Sequence, residues 1–332
     1  MIPETVLVTG ATGYVGPRVV NALHAAGCRV RTLSLDDPPA GLMPETTELR
    51  IGDITDETAV RSAMIGMSAV IHLAALLHVT DPPPTMRNEY ERVNVRGTAT
   101  VVEAAAKAGV KRIVYFSTIA VYDPIPGLVI SEGSPIQTGT FYAQTKLAAE
   151  KLILGVSEPE GKIKGTVLRL GAIYGSRVKG NYRQLVQALA RGRFVPMGSG
   201  LNRRSLIYDR DAASAALLAV SHPGAAGKVL NVTDGQFHTM GKIISAICHA
   251  LGRKPPRLSL PLGPVRGVAG ILDFAARFFG HRLALRTRLN KYTEDIAVSS
   301  DRIRSELGFV PEFNLAEGWN ESIAEMREMR IL

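Results

Sequence analysis

Cysteine is nearly absent from this chain. The two cysteines among its 332 residues, Cys28 and Cys248, lie far apart and form no cluster. A zinc site or a disulfide framework is therefore not expected, and a reducing, cytoplasmic location fits best. The sequence also lacks an uninterrupted apolar stretch of about 18 residues, which argues against a membrane span. Glycine-rich sequence begins at Gly10, too early to follow a signal peptide.

The chain has no long run of basic residues, although its formal net charge is +9. Lysines and arginines occur throughout the sequence, so nucleic acid is not an expected partner. An anionic small molecule and the phosphates of a cofactor explain part of this charge. The 46% hydrophobic content predicts a folded protein with a sizeable core.

Short segments rich in valine and isoleucine alternate with segments of helical periodicity through the first half of the chain. Strands are predicted at residues 5–9, 30–35, 48–51, 69–73, 112–117 and 166–170. Helices are predicted at residues 15–26, 57–64, 93–108 and 142–154. This alternation predicts an α/β fold with a doubly wound parallel sheet of the Rossmann type.

The last third of the sequence has a different pattern. A helix is predicted at 181–191, turns or loops at 198–200 and 202–204, and a further strand at 229–232, followed by helices interrupted by prolines. We expect residues 1–170 to form the cofactor-binding domain, with 205–232 returning to it. Residues 171–204 and 233–332 are expected to form a smaller C-terminal substrate-binding lid.

Residues 265–279 have the pattern of an amphipathic helix. Apolar side chains fall on one face: Val265, Val268, Leu272, Ala275 and Phe279. Charged side chains take the other: Arg266, Asp273 and Arg277. The pattern favours a helix that packs this apolar face on the lid, and a membrane-surface helix or a dimer contact are the alternatives.

Glycines at the spacing G-x-x-G-x-x-G follow the first predicted strand and open the first predicted helix. Gly10 permits a tight turn, Gly13 lets the backbone approach a pyrophosphate, and Gly16 lets the helix pack close to the strand. The N–H groups at the start of the helix then bind the phosphates. This context predicts a dinucleotide site.

Side chains at the ends of the second and third strands bear on the choice of dinucleotide. Ser34 and Asp36 lie where the adenosine ribose is expected, and an acidic group there favours NAD over NADP, although NADP remains open. Asp53 follows the third strand and is suited to accept a hydrogen bond from the adenine amino group. Its alternative role is to cap a helix at 55–64.

Tyr142 and Lys146 have the spacing Y-x-x-x-K near the start of a predicted helix, so that both side chains share one face. The lysine charge is expected to lower the pKa of the tyrosine from about 10 toward 7. Such a tyrosine exchanges a proton with an alcohol or ketone at neutral pH. Ser117 and Thr118 follow the fifth strand, where a hydroxyl can bond the reacting oxygen.

These motifs together resemble the extended short-chain dehydrogenase/reductase family, also called the NAD-dependent epimerase/dehydratase family. The resemblance spans almost the whole chain. Its segments are VTGATGYVG from Val8, GDI from Gly52, HLAA from His72, NVRGT from Asn94, FSTIAVY from Phe116, YAQTK from Tyr142, LRLGAIYG from Leu168, NRRSLIYDRDAA from Asn202, LNVTDG from Leu230 and SELGFVPEFNLAEG near the C-terminus.

The resemblance implies that Tyr142 is the catalytic acid/base, Lys146 its partner, and Thr118, rather than Ser117, the neighbouring hydroxyl. It also implies a homodimer, with helices 93–108 and 142–154 as the contact. With the arguments above, it gives the expected cofactor contacts: Gly10, Thr12, Gly13, Tyr14, Val15, Gly16, Ser34, Asp36, Asp53, Ile54, Leu73, Ala74, Ala75, Asn94, Ser117, Tyr142, Lys146 and Leu170.

Two positions depart from the family pattern. Leu170 replaces a common proline, and Ala172 replaces an asparagine frequent in members that act on sugar nucleotides. The second departure weakens the assignment of a sugar substrate.

The substrate class is indicated by a polar group of residues in the expected lid. Arg204 falls where related enzymes bind a substrate diphosphate, a role that suits a guanidinium. Lys179 and Asn181 lie in the same region, and the alternative is that Arg204 pairs with Asp209 or Asp211. The leading expectation is an epimerase or oxidoreductase acting at C4 of a UDP-sugar. The alternative is a dehydrogenase or reductase of an apolar secondary alcohol or ketone, similar to hydroxysteroid dehydrogenases.

Overall fold

Seven parallel strands form the central sheet of the computed structural model, which describes residues 2–77, 79, 82–156, 163–279 and 283–332. Among the described residues the strands are β1 Thr5–Thr9, β2 Arg29–Ser34, β3 Glu48–Ile51, β4 Ala69–His72, β5 Arg112–Thr118, β6 Lys164–Leu170, β7 Ala172–Tyr174, β8 Arg203–Arg204, β9 Leu206–Tyr208, β10 Val229–Val232 and β11 His238–Thr239. The sheet order is β10-β6-β5-β4-β1-β2-β3, and the predicted doubly wound sheet is confirmed.

The strand order reverses between β1 and β4, which pair in parallel from Val6↔Ala69 to Thr9↔His72. Loops that leave the carboxyl ends of two such strands diverge and open a crevice between them. Gly10 follows β1 and Leu73 follows β4, so both expected cofactor segments lie at this point.

Helices cover both faces of the sheet. Among the described residues they are α1 Gly16–Ala25, α2 Glu57–Met64, α3 Met86–Tyr90, α4 Gly97–Ala108, α5 Phe141–Gly155, α6 Gly180–Ala190, α7 Asp209–Ser221, α8 Met240–Ala250, α9 Leu262–Phe278, α10 Leu285–Thr293, α11 Asp301–Leu307 and α12 Leu315–Glu328. Helices α1, α7 and α11 contribute to the core on one face, and α2, α4 and α5 to the core on the other.

The helix predicted at 93–108 begins earlier and changes geometry along its length. It runs from α3 through a π-helical segment, Glu91–Arg96, into α4. A π-segment shifts the register of side chains and is common at functional sites. Here it contains the buried Asn94.

The C-terminal elements bury a separate core around Trp319, whose ring stacks on Tyr174 with the ring centroids 4.8 Å apart. Residues 203–204, predicted as loop, instead pair antiparallel with β11. Two-residue strands have too little periodicity to be recognised in a sequence. The proposed division into a cofactor domain and a lid stays a prediction.

Helix α9 contradicts the packing expected of residues 265–279. The side chains of Val268, Leu272 and Phe279 are 57%, 46% and 73% exposed, whereas Ala269 is buried. The helix packs against α10 through its small residues. The prediction that the large apolar side chains pack on the lid is therefore wrong. Within the described ranges, no helix combines the length and apolar character needed to cross a membrane.

Candidate active site

The glycine turn brings the end of β1 against the loop that follows β4. Gly10 has a φ of 70°, and a Cβ added there would lie 2.7 Å from the backbone of Ala74. A Cβ on Gly13 would lie 3.0 Å from the Gly10 carbonyl oxygen, and one on Gly16 would lie 2.2 Å from that of Ala11. Gly10 and Gly16 thus exclude a side chain, as the sequence pattern implies, and Gly13 leaves little room for one.

The side chains between these glycines do not all face the crevice. The Thr12 backbone N–H donates to the Ser34 hydroxyl over 3.3 Å. Val15 lies in the core, and Tyr14 packs between two core clusters with its phenol buried. Val15 precedes α1 without a capping side chain, which leaves N–H groups of the first turn for an anion. The side chains of Tyr14 and Val15 are therefore in the core, and only their backbone groups are left for the predicted dinucleotide contact.

The acidic residues on the adenosine side differ in their surroundings. Asp36 is exposed just beyond β2. Asp53 accepts the Thr55 N–H over 2.9 Å and pairs with Arg92 over 3.3 Å. Partial burial opposes its ionisation, but these bonds outweigh that effect and lower the pKa of Asp53.

The alternative that Asp53 caps the following helix is wrong. The residue that caps α2 is Asp56, whose side chain accepts two backbone N–H groups. Ile54, the next expected contact, is buried and lies close to Gly97 of α4. Asp53 remains near the strand end with its ionised carboxylate one-third exposed.

Asn94 holds the loop after β4, which contains Leu73, Ala74 and Ala75. Its side-chain amide donates to the Leu76 carbonyl and to the Thr145 hydroxyl, and its carbonyl accepts the Leu76 N–H over 2.7 Å. The Asn94 side chain thus positions the loop after β4 against α5. Its side-chain polar groups are bonded to protein, so its role is to support Leu73, Ala74 and Ala75, the expected cofactor contacts of that loop.

Tyr142 and Thr118 meet although they belong to different elements. Thr140 caps α5 by accepting the Ala143 N–H, which sets Tyr142 in the first turn. Thr118 ends β5, and its side chain lies close enough to the Tyr142 phenol to lower the pKa of that phenol. Burial raises the pKa of Tyr142 to about 12, with a smaller contribution from Tyr90, whose ring packs edge-on against it.

The expected lowering of the tyrosine pKa is therefore contradicted, and the position of Lys146 gives the reason. Its ammonium donates to the Phe116 carbonyl over 2.6 Å and lies 4.1 Å from the centre of the Tyr115 ring. Burial also lowers the pKa of Lys146 to about 7. The lysine is therefore partly neutral at physiological pH and supplies less charge than the sequence argument assumed.

Ser117 and Thr118 are neighbours with different partners. Ser117 is buried and donates to the Glu150 carboxylate. Glu150 also pairs with Arg169 over 2.6 Å, and both side chains are at most 4% exposed. Arg169 reaches the Tyr122 hydroxyl, which bonds Asn231. Ser117 therefore belongs to a buried ionic network, and Thr118 is the hydroxyl placed at the tyrosine.

The sequence analysis missed this network and the role of His72. The His72 ring bonds Thr9 over 2.6 Å and Thr98 over 3.0 Å, linking β1, β4 and α4. Burial, followed by the Lys146 charge, lowers its pKa to about 3. The strand pattern that places residue 72 in a buried sheet could have indicated a neutral, doubly bonded histidine.

The expected substrate residues do not converge around Arg204. Its guanidinium donates to the Lys291 and Tyr292 carbonyls and pairs with Glu294 over 3.2 Å. Pairing with Asp209 or Asp211 is wrong, because Asp209 pairs with Arg18 and Asp211 accepts the N–H groups of Glu312 and Phe313. Lys179 and Asn181 are exposed at the start of α6, and Leu170 is buried at the end of β6.

A cleft of about 770 Å³ adjoins the first turn of α5. Its walls come from the 124–126 loop, the start of α5, α9 and α10. Lining residues include Pro124, Phe141, Arg266, Lys291 and Glu294. Phe141 precedes Tyr142, so the cleft lies beside the turn that holds the predicted acid/base.

Comparisons with known proteins agree with this geometry. The profile of the NAD dependent epimerase/dehydratase family matches residues 6–233. The chain is 29% identical over 324 residues to the N-acetyl-alpha-D-glucosaminyl-diphospho-ditrans,octacis-undecaprenol 4-epimerase of Escherichia coli O157:H7, covering 96% of this chain and 94% of that protein. It is 30% identical over 337 residues to the 3-beta-hydroxysteroid dehydrogenase of Mycolicibacterium neoaurum, covering 96% and 90%.

Among solved structures, MoeE5 in complex with UDP-glucose and NAD superposes with a TM-score of 0.78 at 26% identity, covering 98% of this chain and 99% of that one. The chain belongs to the NAD-dependent epimerase/dehydratase family. The predicted family is confirmed, and the NAD dependence of the family agrees with the predicted cofactor.

Proposed function

We propose that this protein catalyses NAD-dependent oxidation and reduction at C4 of a sugar carried on a diphosphate, with Tyr142 as the acid/base. The observation that carries the proposal is the contact between the Thr118 side chain and the Tyr142 phenol at the carboxyl end of the sheet, one helical turn before the buried Lys146. A hydroxyl, a phenol and an amine are the groups that proton transfer to a carbinol oxygen requires.

The residues at the crevice fit a dinucleotide. Side-chain-free backbone at Gly10 and Gly13, with the N–H groups that begin α1, would hold the pyrophosphate. Ser34, Asp36 and Asp53 would face the adenosine, and Lys146 the nicotinamide ribose. Bound NAD would accept the hydride from the substrate carbon and return it, and its oxidised form would add positive charge near the phenol.

The side chain of Tyr142 carries the proton. With a pKa of about 12, the phenol is protonated at neutral pH and is ready to donate to a ketone oxygen. In the oxidative direction it must first lose that proton and then accept the one from the substrate hydroxyl. A fully charged Lys146 would favour the phenolate, and Thr118 would keep the phenol oriented in both directions.

A 4-epimerase and a 4-keto reductase share these roles. In an epimerase, Tyr142 takes the C4 hydroxyl proton, the 4-keto sugar turns over, and Tyr142 returns the proton as the other face is reduced. In a reductase only the second half occurs. The relatives support a sugar diphosphate, because one is named for a diphospho-undecaprenol-linked sugar and a solved structure contains UDP-glucose.

A second candidate substrate is an apolar secondary alcohol or ketone. It is favoured by the 30% identity to a 3-beta-hydroxysteroid dehydrogenase and by the Pro82, Pro124, Pro126 and Phe141 lining of the cleft. Arg204 also counts against a nucleotide, because Glu294 and two carbonyls already bind the two terminal nitrogens of its guanidinium. A substrate diphosphate would have to displace the Glu294 carboxylate.

The test compares substrates with the purified protein and NAD. UDP-glucose, UDP-N-acetylglucosamine and an N-acetylglucosaminyl diphosphate linked to a polyprenol are each incubated, and the C4 epimers are separated by chromatography. Inversion at C4 without net NADH formation, absent in Tyr142→Phe, supports the epimerase. NADH-dependent conversion of the corresponding 4-keto sugar alone supports the reductase. Turnover of steroid ketones but of no sugar overturns the proposal in favour of the second candidate.

A further inference from the structure

Helix α9 presents a continuous apolar face that the described part of the chain leaves uncovered. Large side chains at helical spacing are exposed along it: Val268 57%, Ile271 69%, Leu272 46% and Phe274 77%. Residues three or four positions apart are neighbours on a helix surface, which joins Val268 to Ile271 and Leu272, and Ile271 to Phe274. We call these four residues the α9 apolar face.

The opposite side of α9 already has its partner. Ala269 is buried, and Gly270 lies against the side chain of Arg286. Asp273 accepts the backbone N–H groups of Leu285 and Arg286 over 2.9 Å each, which caps the start of α10. Small and polar residues therefore make the contacts that hold α9 against α10.

Further apolar side chains are exposed on either side of the helix in the sequence. Leu258 and Leu260, in the segment before α9, are 83% and 48% exposed, and Leu283 after it is 43% exposed. Exposed apolar side chains gathered in one part of a chain are typical of an interaction site. The surrounding charges indicate which kind of partner it binds.

Positive charge is concentrated in the same part of the chain. Residues 252–293 contain nine lysines and arginines and one acidic residue, Asp273, which gives the segment a net charge of +8 out of +9 for the whole chain. The interpretation that basic residues are evenly spread is therefore wrong. Arg253, Lys254 and Arg257 precede α9, and Arg286 and Arg288 follow it, all of them exposed.

We propose that α9 and its basic flanks bind the surface of a lipid bilayer that contains anionic headgroups. An amphipathic helix lies in the interface with its apolar face below the headgroups, while lysines and arginines attract the anionic lipids. At 17 residues, α9 would extend about 25 Å along the membrane plane. It would lie on the bilayer, since its other side is occupied by α10.

Two other occupants fit the observations less well. A second copy of this chain would bring two segments of net charge +8 together, and like charges oppose such contact. A nucleic acid would satisfy the cations but would offer no apolar surface to the exposed Ile271 and Phe274. An anionic bilayer offers both an apolar interior and negative charge.

The position of α9 places the membrane next to the catalytic cleft. Arg266, in the first half of α9, lines the cleft together with Thr140 and Phe141 of the catalytic turn. A protein seated on α9 would therefore present the cleft beside the lipid surface. Membrane binding itself does not depend on the proposed reaction and is tested without substrate.

The test is cosedimentation of the full-length protein with vesicles. We expect the protein to pellet with vesicles of mixed phosphatidylcholine and phosphatidylglycerol, much less with phosphatidylcholine alone, and less at high salt. Phe274→Glu should weaken binding roughly tenfold or more, because it places a charge where an exposed aromatic ring enters the interface. Val310→Glu is the matched control, since Val310 is 73% exposed and lies outside this segment.

Circular dichroism and sedimentation velocity complete the test. Both variants should melt at the wild-type temperature, because both replaced side chains face solvent. The proposal is overturned if the wild type does not bind mixed vesicles at low salt, or if Val310→Glu loses binding as Phe274→Glu does. It is also overturned if Phe274→Glu converts a dimer to a monomer without changing vesicle binding, which would identify a second copy as the occupant.

Discussion

The side chain of Thr118 lies beside the phenol of Tyr142, and its hydroxyl accepts the Ala120 N–H over 3.1 Å. The Thr118 hydroxyl is thus fixed by the turn that follows β5. The phenol therefore has a neighbour that does not belong to its own helix. This contact joins the end of a buried strand to the first turn of α5, where the cleft opens.

Removing either member of this pair should reduce turnover and leave NAD binding intact. We expect Tyr142→Phe to lower kcat by about 10²–10⁴-fold, the usual contribution of a positioned acid/base. Thr118→Val should lower kcat less, since the phenol remains. Steady-state kinetics give kcat, and NAD affinity is measured by isothermal titration calorimetry. A Tyr142→Phe enzyme with unchanged kcat would contradict the mechanism.

Ser117→Ala is the matched control for Thr118→Val. The two hydroxyls are adjacent in sequence, but that of Ser117 bonds Glu150 inside the core. Its loss should reduce stability and spare kcat in the molecules that remain folded. Equal losses of kcat in Ser117→Ala and Thr118→Val would contradict the assignment of Thr118 to catalysis and of Ser117 to the structure of the core.

The buried pair Glu150–Arg169 makes a prediction about stability. Glu150→Gln removes the partner of a guanidinium that is 4% exposed, and breaking such a pair costs about 3–5 kcal/mol. Urea unfolding followed by circular dichroism gives the free energy of unfolding. Replacing both residues with apolar ones, Glu150→Met with Arg169→Leu, should recover part of the loss, because no buried charge is then left unpaired.

Much of the fold follows from local patterns in the sequence. The strands Thr5–Thr9, Glu48–Ile51 and Val229–Val232 have the predicted bounds. The first and last are short, mostly apolar runs between turn residues, and Glu48–Ile51 alternates charged and apolar residues. The glycine turn can also be predicted from the sequence, since its backbone geometry requires glycine at particular positions. Tyr142 and Lys146 are recognisable from their spacing and their place after β5.

The remaining features depend on contacts between distant parts of the chain. Arg204 meets Glu294, and no local pattern links these two positions. The pKa of Lys146 is lowered because the fold buries it, which spacing along a helix does not reveal. Periodicity identified the apolar side of α9 but not which side packs, because small residues at Ala269 and Gly270 determine the contact.

Gly10→Ala should abolish NAD binding and destabilise the protein. Gly10 combines a φ of 70° with a backbone neighbour 2.7 Å from the position of the new Cβ, so both strain and a steric clash result. Gly27→Ala is the control, because Gly27 has a φ of 85° and open space around the new Cβ. The control should lose about 1–2 kcal/mol of stability and keep NAD affinity. Titration calorimetry and urea unfolding of both variants separate the two effects.

His72 should make the stability of the protein fall as the pH is lowered. Its folded pKa is about 3 and its unfolded pKa is about 6.5, so between these values the unfolded chain binds a proton that the folded protein does not. Stability is then fully present above pH 6.5 and is lost as the pH falls toward 3, with about 2 kcal/mol gone by pH 5.

His72→Asn removes the titrating group while keeping a polar side chain for Thr9 or Thr98. The free energy of unfolding is measured at pH 7 and pH 5 in both proteins. The carboxylates that titrate in this range are common to both, so their contribution cancels in the comparison. The free energy should therefore fall less between these pH values in the variant, which lacks the His72 imidazole. A wild type and a variant with the same loss between the two pH values would show that His72 is already protonated in the folded protein, or that it is not buried as a neutral ring.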